Sequence, residues 1–437
     1  MADFTQLERQ SAATLPLWVR QLRREAFTRF SALGLPTTRQ EDWKYTNVAP
    51  MAALPFSLST FQPPEETRSE CNCIKQWKVA CAQLVFVNGR YAPELSVVRS
   101  LPGGVQISDL ATVLRTNPQS LETHLARYAD YQDRAFIALN TAFLEDGAFV
   151  FIPQDTRLEA PVHLLFITTA PGNPLVSHPR NLIIASPGSS ATIVESYVGA
   201  EGEVYFTNTV TELVAGEHAR IDHARVQLES TQAFHIGAVQ VCQEPGSVVV
   251  SHAIGLGGAL ARSEVHAVLE GEGSECRLNG LYMGTGRQHL DNHTRIDHVK
   301  PHCLSRELYK GVLDGQSRGV FSGKIVVHEA ASKTDAAQTN NNLLLSNEAI
   351  IDSKPQLEIY NNDIQCSHGS TIGELDEEAL FYLRARGVGV EAARRLLTYA
   401  FVNEVLNRLK PEPLRSQLEE RLFGRLYAPN QGRGAKA

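Results

Sequence analysis

Four turn glycines recur at near-constant spacing through the middle of the chain, and this repeat restricts the fold more than any other feature. Gly188-Ser-Ser-Ala-Thr-Ile, Gly216-Glu-His-Ala-Arg-Ile, Gly246-Ser-Val-Val-Val-Ser and Gly273-Ser-Glu-Cys-Arg-Leu each set a glycine ahead of an alternating run, at intervals of 28, 30 and 27 residues. Such a period, carried by strands without intervening helices, predicts a solenoid whose turns stack on one another rather than a sandwich. From about 148 to 372 the chain is a succession of short Val/Ile/Leu/Phe/Thr-rich runs broken by Gly, Pro, Asn and Ser. That pattern predicts an all-β body, a parallel β-helix. Gln338-Thr-Asn-Asn-Asn342 suits side chains stacked at a turn between coils, and equally a plain polar loop.

The flanks read differently. Trp18, Leu22, Ala26, Phe27, Phe30 and Leu33 recur at helical spacing, with Gly34 and Pro36 as a stop. Glu41-Asp-Trp-Lys-Tyr-Thr46 is dense in aromatic and charged groups, and serves either to anchor a partner or to pack a helix on its neighbour. Residues 54–72 have linker composition, and Leu84–Val87 reads as a strand entering a turn. Between 108 and 143 helices return, with Ser108 and Ser120 as expected caps. After the β body, Asp376-Glu-Glu378 opens a helix stopped by Gly387, and Ala393–Phe401 marks another, terminated by Pro411 and Pro413. The expected organisation is a mostly helical region at 1–147, a solenoid core at 148–373, a helical region at 374–427 and a flexible tail at 428–437.

Composition removes several classes. With 437 residues, 41 Lys+Arg and 48 Asp+Glu, the formal charge is −7. Apart from a short basic tail at Gly432–Lys436 there is no footprint for nucleic acid. No apolar run reaches the ~18 residues of a membrane span, and the N-terminus lacks a signal-peptide pattern, so a cytoplasmic protein is expected. Seven scattered cysteines argue for reduced thiols, with Cys71, Cys73 and Cys81 structural.

Two groups of residues could carry chemistry. His289, His293, His298 and His302 lie in one run; strand alternation puts His289 with His293 and His298 with His302, on different faces. Read as a metal site, they would make the chain a stand-alone metal-binding enzyme on a β-helix. Cys366-Ser-His368 is sharper, because a thiol and an imidazole at i and i+2 share one face of a strand and suit iron, zinc or an iron–sulfur cluster. Two ligands do not close a site, so others must come from elsewhere. Gly319-Val-Phe-Ser-Gly-Lys324 has too short a gap for a phosphate loop, and no bound nucleotide is expected. Asp291 and Asp297 could serve polysaccharide cleavage, but acids are common at turns and a cytosolic setting removes the substrate.

The ordered segments Ser305–Gly311, Arg318–Lys324, Lys333–Gln338, Asn342–Ser346, Lys354–Tyr360, Cys366–Gly369 and Phe381–Gly387, with Glu41–Thr46, resemble the SufB/SufD family of iron–sulfur cluster assembly proteins. Cys-Ser-His-Gly in place of the Cys-Ser-His-Glu of SufB, and the lack of clustered cysteines, put the chain on the SufD side. The resemblance implies a right-handed parallel β-helix between helical flanks and a non-catalytic scaffold role. It implies pairing with SufB through the β-helices and one SufC ATPase bound at the C-terminal helical region. It also implies a transient cluster at the SufB junction, with His368 as its ligand here and Cys366 as the weaker candidate. A homodimer is expected when the chain is alone, because the partner is a paralogue.

Overall fold

A computed structural model describes residues 2–11, 15–59 and 80–427. Cys71, Cys73 and the Gly432–Lys436 tail lie outside the described residues. Strands from Ala148 to Gly373 alternate between two 11-stranded sheets, stacked in parallel as a solenoid of about eight turns. The register is continuous: Arg220 pairs with Val248, Val248 with Glu275, Glu275 with Leu304 and Leu304 with Asp335. Each position therefore repeats on the next coil after roughly 30 residues, which is the physical origin of the glycine period.

The true repeat differs from the expected one at one point. A column of left-handed residues runs along one edge: Asp155, Gly188, His218, Gly246, Gly273, His302 and Lys333, with φ between 55° and 71°. Each donates its N–H to the next coil: Gly188 to Glu217, His218 to Pro245, Gly273 to Pro301 and His302 to Ser332. The stacked equivalent of Gly188 is thus His218, not Gly216. Gly216 is needed for close approach instead, since a Cβ there would lie 2.8 Å from the Pro187 nitrogen. Glycine is the cheapest left-handed residue, yet the ladder holds His and Lys there too, so a glycine search finds only part of the period.

The flanks extend the solenoid. Ala82–Val87 runs parallel to Val162–Thr168 as a further rung, and Gln106–Asp109 pairs antiparallel with Ala148–Ile152. Helix Leu17–Leu33 ends at Gly34. Ser108 lies in a strand, and helix Leu110–Thr116 is capped instead by Asp109, whose carboxylate accepts from Thr112 N–H at 2.8 Å. Ser120 lies inside a short helix, Gln119–Glu122, with its hydroxyl on the Asn117 carbonyl. After the solenoid come helices Glu377–Ala385 and Val390–Leu406. Pro411 and Pro413 do not end the second helix, which stops at Leu406; they open a third, Glu412–Tyr427. A proline in a first helical turn lacks only an N–H that would have no partner there.

Segment 41–46 packs on the outside of the solenoid. The Arg262 guanidinium stacks on the Trp43 ring at 3.9 Å and donates to the Asp42 carbonyl at 2.8 Å. It also pairs with Asp291 at 2.6 Å and Glu264 at 2.7 Å. The Thr46 hydroxyl donates to Asp291 at 2.6 Å. Of the two roles open to this segment, packing is the one seen.

Inside, tyrosines and glycines interlock across neighbouring strands Glu275–Gly284 and Leu304–Leu313. Gly280 is in register with Tyr309, and Tyr282 with Gly311. A Cβ would sit 2.1 Å from the Tyr309 ring at Gly280 and 2.4 Å from the Tyr282 ring at Gly311. Gly280→Ala is therefore expected to destabilise the fold by about 1–3 kcal/mol through overpacking. A lower urea midpoint would report it, and an unchanged midpoint would refute the interlock.

Candidate functional site

The far end of the solenoid is open. Among the described residues, strand Ile364–Gly373 pairs only with Thr334–Leu344, and Ile350–Ile359 only with Arg318–Val327, so two backbone edges face outward. Edges of this kind are templates for another chain. Cys366 and His368 both belong to strand Ile364–Gly373. Being two residues apart, they share one face. Cys366 is half-buried against the solenoid core, and burial pushes its thiol up from the ordinary value. His368 is exposed.

The register ties this pair to the interior. Cys276, Ser305, Ala336 and Cys366 form one column; Leu278, Glu307, Gln338 and His368 form the next. Around them the mouth is polar. Gln338 Nε2 donates to Glu307 at 2.6 Å, Asn342 Nδ2 to Asn340 Oδ1 at 2.7 Å, and the Ser353 hydroxyl to the same oxygen at 2.8 Å. Ser353 and Ser370 oxygens lie 2.8 Å apart. The Gln338–Asn342 run is thus neither a turn nor a loop but a strand, with Gln338, Asn340 and Asn342 buried. Alternation could have assigned these three to one face, but only the ladder shows that the face is internal.

The four histidines do not come together. His289 Nε2 lies 2.8 Å from the Thr46 hydroxyl, under the N-terminal segment, and burial lowers its pKa. His293 meets Asp291 at 3.0 Å. His298 points inward, with Nε2 2.8 Å from the Ser305 hydroxyl, and burial pushes its pKa down to about 4. His302 lies beyond the end of the strand, in the left-handed column, and is exposed. The alternation is as expected for His289, His293 and His298, but His302 does not continue it. Among the described residues no group of three or more His, Cys, Asp or Glu could hold a metal ion.

The two aspartates are held by cations. Burial alone would raise both, but Arg262 and His293 outweigh it at Asp291, and His266 and Arg295 at Asp297, so each stays below the carboxylate range. Neither is the raised general acid that glycoside cleavage requires.

Glu307, unmarked by composition or motif chemistry, is the one strongly perturbed acid near the mouth. Burial pushes it up to about 7, against the hydrogen bond from Gln338. Its folded value thus exceeds that of an unfolded glutamate, ~4.3. As pH rises from ~4.3 to about 7 the unfolded chain ionises first at this position, so the contribution of Glu307 to stability falls by roughly 3 kcal/mol across that window, while buried histidines such as His298 contribute in the opposite sense. Glu307→Gln should flatten this part of the stability–pH curve, read by urea unfolding at pH 5 and 7.5. A wild-type curve equally flat there would disprove the shift.

Two family models cover most of the chain: the SUF system FeS cluster assembly SufBD core domain over residues 166–401 and the SufBD protein N-terminal region over 3–164. An iron–sulfur cluster assembly SufBD family protein of Synechocystis is 33% identical over 409 residues, covering 89% of this chain and 87% of its own. The iron–sulfur cluster assembly protein SufD of Escherichia coli is 31% identical over 396 residues, 90% of each chain, and SufD of Bacillus subtilis 26% identical over 414 residues, 92% and 93%. With both family regions in order along one continuous solenoid, the chain belongs to the SufBD family of iron–sulfur cluster assembly proteins.

Proposed function

We propose that this chain is a non-catalytic scaffold subunit of a cytoplasmic iron–sulfur cluster assembly complex. It pairs with SufB through the open end of its solenoid and engages the SufC ATPase through its C-terminal helices. One observation carries the reading: Cys366 and His368 share a face on a terminal strand whose outer backbone edge is unpaired among the described residues. A thiol and an imidazole are half a ligand set. The remaining ligands would come from the partner that covers the edge, and the cluster is cargo, shared and transient. Nucleotide chemistry belongs to SufC.

Other features support the two contacts. Ile350, Ile359, Tyr360 and Ile372 are exposed around the last coil, where a second solenoid end would cover them. A second copy of this chain offers the same edge, which supports a homodimer in isolation. On helix Glu377–Ala385, Phe381 is 74% and Tyr382 55% exposed. ATP-driven closure of SufC would pull on these helices and shift the solenoid junction between two states, opening buried ligands to iron and sulfur.

The test is reconstitution with SufB and SufC. His368→Ala should assemble normally by size exclusion yet hold severalfold less iron and sulfide, with a smaller loss for Cys366→Ala. Full cluster content in His368→Ala would refute the ligand role. Phe381→Asp should lose SufC while keeping SufB, and retention of SufC would move that contact elsewhere.

A further inference from the structure

One coil beneath the open edge, a buried oxygen has no hydrogen-bond partner among the described residues: Gln338 Oε1. Gln338 is 1% exposed, and its side chain crosses the lumen to Gly323, where an added Cβ would lie 2.3 Å from Nε2. The glycine on the facing strand leaves room for the amide.

Glu307 sets the direction of that amide. Gln338 Nε2 donates to Glu307 Oε2 at 2.6 Å, one coil back in the same column. The nitrogen and oxygen of a carboxamide project to opposite sides of its Cγ–Cδ axis, so a nitrogen directed at Glu307 leaves the oxygen directed at the following coil. That coil sets His368 in register with Gln338. Paired residues of a parallel ladder stand ~4.8 Å apart with their side chains on the same side, a separation that a hydrogen bond between stacked side chains can span. Histidine Nδ1 branches at the depth of glutamine Cδ, so Nδ1 is the ring nitrogen nearer to Oε1.

His368 is exposed, which leaves its ring open to water in the uncovered chain. A partner that covers the edge expels this water, and a ring N–H and a buried carbonyl left without it are each costly unless they meet. Histidines that bind metal commonly donate their second ring N–H to a carbonyl or carboxylate, which fixes both tautomer and ring direction.

We propose that Gln338 is a positioning residue for His368: its Oε1 accepts from His368 Nδ1–H and leaves Nε2 as the nitrogen directed at the shared cluster. The inference rests on the scaffold reading, in which His368 is a ligand. Glu307 acts through the same contact, because it holds the amide that way round.

Complexes reconstituted with SufB and SufC from Gln338→Leu, Gln338→Glu, His368→Ala and the double variant His368→Ala/Gln338→Leu provide the test, read as iron and sulfide per complex after size exclusion. Gln338→Leu should assemble yet hold severalfold less, down to the level of His368→Ala, and Gln338→Glu, which keeps an acceptor oxygen, should restore most of the content. The double variant should lose no more than His368→Ala alone, a non-additivity that loosening of the fold would not produce. A crystal structure of the wild-type complex reports without any variant: His368 Nδ1 within about 3.2 Å of Gln338 Oε1 is expected. The failures separate. Full content in His368→Ala would overturn the ligand role and this inference with it. A loss in His368→Ala beside full content in Gln338→Leu, additive losses in the double variant, or a His368 ring turned away from Oε1 in the complex would overturn the positioning role alone.

Discussion

The parallel backbone ladder is the interaction on which the rest of the molecule depends. Each coil donates its N–H groups to the next, so a residue is held about 4.8 Å from its equivalent roughly 30 positions later. This turns a linear repeat into columns of side chains and leaves the ends as the places where hydrogen bonding is incomplete. The beginning is closed by antiparallel strands Arg90–Tyr91 and Val97–Val98 against Ala82–Val87. The far end carries Cys366 and His368 on an edge with nothing beyond it among the described residues.

Columns explain why so polar an interior is tolerated. A buried amide or hydroxyl is costly alone but inexpensive when its stacked and facing neighbours satisfy it. Tyr282 donates to Asn342 at 2.5 Å, Asn342 to Asn340, and Ser353 to Asn340, so one network crosses from sheet to sheet. The Tyr/Gly interlock makes the space for these rings. Where satisfaction fails, as at Glu307 and Gln338, the lumen holds a titratable or hydrogen-bonding group, and those are the positions with chemical consequences.

Outside, the same ladder places Arg262, Asp291 and His293 on adjacent strands, where they hold the segment from Asp42 to Thr46. Removing the arginine would take from the buried Asp291 and the half-buried Glu264 the cation they share, which ties the N-terminal segment to the register of the solenoid.

Much of the fold was legible in the chain. Glycine spacing and alternation determine the solenoid, and helical periodicity with Gly34, Asp376 and Gly387 determines the flanking helices, because these signals are local and repeat. Cys366 and His368 could be placed on one face for the same reason. Tertiary structure decided what local chemistry cannot. It replaced Gly216 by His218 in the left-handed column, because a hydrogen-bond ladder rather than residue type sets that conformation. It dispersed the four histidines, because one strand presents alternate residues to opposite sides of a sheet and His302 had already left the strand. And it made Glu307 and Gln338 interior groups, because whether an alternating face looks inward depends on a second sheet tens of residues away.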